Sequence, residues 1–150
     1  MSSSQASELT KQAVFGVSDG VTSSLGVVLP LALLHRSLVL PVLGLAICAA
    51  VGMGGGEYLG DTNASLPSAT VMAVASFVGT LLPALPLLFI SGSLGLALGV
   101  ALTVAVAIVI AEVKATERGR RRSYVETFGI LGVAAILTVA LSLIGGGSGN

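Results

Sequence analysis

"VGMGGGEYLGDTN", residues 51–63, closes a hydrophobic run that begins near Ser37. The stretch ends that run with glycines, one methionine and two acids. Glycine weakens an exposed helix, and carboxylates are costly in lipid, so a membrane-grade segment with this ending needs a reason. The run itself is long enough to cross a bilayer, since a hydrocarbon core of about 30 Å takes about 20 apolar residues. The rest of the chain agrees. Its 150 residues are 54% hydrophobic and 9% charged, with a mean hydropathy of +1.01. A domain of this size is mostly surface and cannot hide so much apolar area in its own core. The expected class is an integral membrane protein.

Four further runs accompany the one at 37–60. They cover 13–34, 67–90, 93–113 and 124–146. The expected fold is all-α: residues 1–150 form a single domain of five transmembrane helices in a glycine-rich bundle. "SYVE", Ser123 to Glu126, has capping-box spacing at the start of the fifth span. The N-terminus carries no basic segment, and no small-residue cleavage site follows the first span, which is therefore read as a retained helix. "KATERGRRRS" (114–123) holds five of the seven Lys and Arg. Basic loops stay on the cytoplasmic side. The N-terminus with Lys11 and the 61–66 link are then cytoplasmic too, and the C-terminus is outside or lumenal.

Several classes drop out. The formal net charge is zero, so no global field draws nucleic acid. Cys48, the single cysteine, excludes an internal disulfide and a multi-cysteine metal site; it reads as a small apolar helix residue. His35 beside Arg36 reads as interfacial. No nucleophile–base pair or phosphate loop is present, so neither an enzyme nor a permanently bound cofactor is expected.

The glycines read as packing. Gly52, Gly56 and Gly60 form two successive G-x-x-x-G steps on one stripe. Gly16–Gly20 and Gly95–Gly99 repeat the spacing. Small residues let helix backbones approach closely in lipid, which suggests a tight bundle and an oligomer. Pro30, Pro41, Pro83 and Pro86 are expected to kink their helices and free backbone carbonyls.

The acids read as function. Asp19 lies roughly 9 Å inside the first span, with Thr22, Ser23 and Gly26 following at i+3, i+4 and i+7 as a polar and small face. Met53, Glu57 and Asp61 are spaced by four and share a stripe. The first two helices run antiparallel, so Glu57 is expected near the inner edge and Met53, about 6 Å deeper, at a depth similar to Asp19, where the three groups can converge, with Asp61 at the cytoplasmic entry. Intramembrane ionisable groups usually line a substrate or ion path. Carboxylates suit divalent cations, and a thioether favours a transition metal. A buried carboxylate also binds protons, so metal and proton compete for it. That competition is the minimum machinery of cation/proton exchange.

Three stretches together resemble one family. "FGVSDGVTSSLGVV" (15–28), "GMGGGEYLGDTN" (52–63) and "ASFVGTLLPALPLLF" (75–89) are similar to the first three helices of the vacuolar iron transporters. The resemblance covers nearly the whole chain. It implies a homodimer with its path near the dimer interface, exporting Fe2+, and sometimes Mn2+, from the cytoplasm in exchange for protons. By position, the family's intramembrane aspartate falls on Asp19, and the methionine and glutamate of its second helix on Met53 and Glu57. Many members insert a glutamate-rich helical domain after the second span. Here "DTNASL" (61–66) is far shorter, so the chain looks like a compact member, with Asp61 as a reduced substitute. A compact member fits the plasma (inner) membrane of a prokaryote better than a vacuole. Two rival readings stay open: a non-transporting membrane scaffold, whose acids only join helices, and a channel-like conductor without proton coupling.

Overall fold

The computed structural model describes residues 3–33, 37–60, 65–90 and 92–146. Among them are five helices: α1 (Ser3–Leu33), α2 (Val39–Gly60), α3 (Leu66–Phe89), α4 (Ser93–Arg118) and α5 (Arg120–Gly146). Each is long and apolar enough to cross a membrane. An apolar run that satisfies every backbone group within itself is the economical form of such a sequence, because lipid offers no hydrogen bonds.

The ends follow local chemistry. Ser65 caps α3 by accepting from the Ser68 N–H at 3.2 Å, and Pro67 occupies the first turn, where its missing N–H costs nothing. Pro30 lies inside α1, and Pro83 and Pro86 inside α3; both helices continue past them. Pro41 sits in the first turn of α2, where no kink is required. α4 passes into α5 through one residue, Gly119, at φ 84°, a backbone conformation that favours glycine. Ser123 therefore lies inside α5 rather than at its N-cap, and Glu126 pairs with Arg122 at 2.7 Å instead of closing a capping box.

Side-chain contacts fix the directions. α1 and α3 run parallel: a side chain at Gly16 would strike Met72 and Ala75, and one at Gly20 would strike Ser76 and Thr80. Gly79 returns the fit, with Val17 backbone 2.6 Å from where its Cβ would stand. α2 runs antiparallel to α3, with Gly54 against Ala69 and Ala73. α4 turns back along α3, with Gly95 against Ile90 and Gly99 against the Pro83 carbonyl. α3 is the most buried helix and α5 the least. α3 lies between α1 and α2 and also meets α4, while α5 leans on α4 and α1.

The glycine expectation divides. Gly16–Gly20 and Gly95–Gly99 pack as spaced, each against α3 or its C-terminal end. Gly52, Gly56 and Gly60 face outward, with nothing within 4 Å of an added side chain. They do not seat α2 on α1; within the chain that stripe is uncovered, and Gly54 makes the close approach instead. The seam the fold depends on is α1 on α3.

Candidate functional site

Glu57 is the best-defined acid of the bundle. It lies in the last turn of α2 and is half-buried. Gln12 of α1 donates to its Oε1 at 2.7 Å, and the Ser68 hydroxyl of α3 donates to the same oxygen at 2.8 Å. One carboxylate thus ties three helices together, through hydrogen bonds strengthened by its charge. Neither bond uses Oε2. Beside it opens a cleft of about 210 Å³ lined by Gln5, Glu8, Leu9, Ser65, Pro67 and Ser68. Ser68 belongs to both, so it links the open cleft to Glu57.

The Gln12–Glu57 bond also sets the register of α1 against α2. With those residues level, Met53 stands one turn further in, and Asp19 lies about 10 Å beyond Gln12 along α1. Asp19 is therefore about 4 to 5 Å deeper than Met53. Glu57, Met53 and Asp19 thus stand at successive levels, Asp19 and Met53 differing by about one helical turn where similar depth was expected. Among the described residues no three His, Cys, Asp or Glu side chains cluster as a metal cage would require.

Asp19 is half-buried beside the α1–α3 seam. Ser76 of α3 is its hydrogen-bonding neighbour across the seam. The Ser76 hydroxyl is 0% exposed. Of the expected supporting face, Thr22 turns its hydroxyl onto the Ser18 carbonyl at 2.8 Å. Ser23 is half-buried, and Gly26 is exposed with nothing within 4 Å. The inward hydroxyl of α1 is Ser24, one residue on, because Gly16, Gly20, Ser24 and Val28 form the buried i+4 stripe. Asp61 lies outside the described residues.

Sequence reading missed Gln12, Ser68 and Ser76. Gln12 precedes the first apolar run and Ser68 reads as a helix start, so neither pattern signals a partner for an acid. It also missed Glu112, which accepts from Arg120 at 2.6 Å and from the Tyr124 hydroxyl at 2.6 Å across the α4–α5 turn. This group lies at the end of the hairpin, outside the α1–α2–α3 ladder.

Searches against protein-family models, curated proteins and solved structures find no match to this chain.

Proposed function

We propose that this protein is an integral membrane transporter that moves a divalent transition-metal cation, Fe2+ or Mn2+, out of the cytoplasm in exchange for protons. The observation that carries the reading is the ladder: Glu57 beside an open cleft, Met53 one turn inward, and Asp19 deeper next to the buried Ser76 hydroxyl. Carboxylates set singly at successive depths give a cation few protein ligands at any one level. That suits passage, because conduction requires sites that bind favourably and release. The resemblance to vacuolar iron transporters supports the choice of metal, and the Met53 sulfur is the soft donor consistent with it. The basic residues of 114–123 favour a cytoplasmic position for the Glu57 end of the bundle, with the C-terminus outside. The half-exposed face of Asp19, Ser23 and Gly26, together with the uncovered Gly52–Gly56–Gly60 stripe, leaves room for the second copy of a homodimer.

Proteoliposomes holding a pH dye, presented with Fe2+, Mn2+, Mg2+ and Ca2+, test this. The expected result is Fe2+ or Mn2+ flux with an opposing proton flux, and loss of both in Asp19→Asn, which keeps the shape and removes the charge. Metal flux without proton flux points to a channel. No metal flux in the parent protein points to a scaffold.

A further inference from the structure

Two serines mark two levels of α3. Ser68 donates to Glu57 of α2 at 2.8 Å, and Ser76 is bonded to Asp19 of α1. They are eight residues apart, or about 12 Å along the helix. On α1, Gln12 meets Glu57, and Asp19 follows seven residues later, about 10 Å on. The two parallel helices thus agree on the distance between the acid levels.

Met72 falls midway between those serines on the same i+4 stripe, and it is 5% exposed. The other buried residues of α3 are all Ala, Gly, Ser, Thr or Pro, so Met72 is the one long side chain this helix buries. On α2, Met53 precedes Glu57 by four residues and shares its stripe. α2 runs against α3. One turn back from Glu57 and one turn on from Ser68 are therefore the same depth, each about 6 Å beyond the Glu57 level. α1 passes that depth as Gly16, where a Cβ would stand 2.6 Å from the Met72 carbonyl. Two thioethers, from α2 and α3, thus share a level between one acid and the next.

We propose that Met53 and Met72 form a two-sulfur rung that takes a soft cation, and that this rung selects Fe2+ over Mn2+ and Mg2+. The selection rests on the transport proposed above; the sulfur pair does not. A thioether is a soft, neutral donor, whereas Mn2+ and Mg2+ suit carboxylate and carbonyl oxygen. Glu57 and Asp19 offer them carboxylates above and below, and α1, α2 and α3 offer none at the level of the rung. Fe2+ binds a given site more tightly than Mn2+ and accepts sulfur more readily. The rung adds no charge of its own, so it can favour one metal without trapping it, and the ion passes on to the next acid.

Methyl-13C methionine NMR in lipid nanodiscs reads the sulfurs directly, with Ag+ as a soft, diamagnetic probe and Mg2+ as the control. The chain has three methionines, so the single Met→Leu variants assign the signals. One Ag+ per chain is expected to shift the Met53 and Met72 methyls together, and Mg2+ to shift neither. Met53→Leu and Met72→Leu should each weaken that binding at least tenfold. The double variant should lose little more, because groups that act on one ion are not additive. Norleucine incorporated in place of methionine keeps the length and removes the sulfur. It should abolish Ag+ binding without moving thermal unfolding, which separates lost ligation from lost packing even where a leucine variant folds poorly. A Met72 methyl that stays still while Met53 shifts, or two losses that simply add, overturns the rung. With Fe2+ and Mn2+ in competition for uptake into liposomes, Met72→Leu should lower the Fe2+ preference about fivefold or more. An unchanged preference in an active protein overturns the selection and leaves the sulfur pair standing. A parent that moves no metal removes the transport reading and the selection with it, and the Ag+ shifts still decide the pair.

Discussion

Glu57 accepts two hydrogen bonds on one oxygen, and that decides how its variants should behave. Glutamine retains a carbonyl oxygen for the Gln12 and Ser68 donors, so Glu57→Gln should fold as the parent does. It loses the charge held behind Ser68, and metal flux is expected to fall about tenfold or more in the liposome assay. Ser68→Ala does the reverse. It removes one donor and keeps the charge, so unfolding in a detergent titration should shift by about 1 kcal/mol, the usual size of a hydrogen bond between membrane helices, with flux reduced less than in Glu57→Gln. Met53→Leu keeps bulk and removes sulfur. If Met53 touches the passing ion, Fe2+ should lose its advantage over Mg2+ in competition while stability stays unchanged; an unaltered preference returns Met53 to packing.

Glycine position, rather than glycine number, sets the fate of each helix pair. Gly20 faces the Ser76 carbonyl and the Thr80 backbone, where the neighbour is main chain and cannot step aside. Gly20→Val should part α1 from α3 and destabilise the bundle by about 1–3 kcal/mol, as overpacking usually does, with metal flux lost as Asp19 leaves Ser76. Gly56→Val should leave the single chain intact, because nothing lies within 4 Å. If it alters only the native mass of the assembly, the stripe belongs to a second copy. The helices themselves were legible from sequence, since five long apolar runs admit little else. Their partners were not. G-x-x-x-G states that a close approach occurs but not against which helix, so Gly52–Gly56–Gly60 looked as good as Gly16–Gly20. Gly54, flanked by other glycines, carried no distinguishing spacing. Likewise the acids at 19 and 57 could be found from their cost in lipid. Their levels could not, because the register between α1 and α2 hangs on Gln12, a polar residue outside the first apolar run.

The exterior of the bundle is itself a physical statement. Leu40, Leu59 and Phe89 are each more than 80% exposed, and large apolar side chains cover much of α2 and α5. Water would not tolerate so large an apolar surface. The protein is expected in the carbonate-resistant membrane fraction and should require detergent or lipid throughout purification. Cys48 is exposed on α2 within the apolar run, so a lipid-soluble maleimide should modify it at least tenfold faster than a charged one. In a Cys48→Ala background, Arg121→Cys should react with the charged reagent from the cytoplasmic face only; reaction from outside would invert the proposed orientation.

The parallel seating of α1 on α3 has a consequence in time. Gly16 and Gly20 are shaped for Met72, Ser76 and Thr80, which leave the ribosome later, after α2 has been made. At about 5–20 residues per second, the delay is on the order of 3 to 11 seconds. Throughout it, the first helix carries bare backbone and an aspartate facing whatever is near. The closest fit of the first helix therefore waits for the third, and the interval before it closes is when the newborn chain is most open to a wrong neighbour.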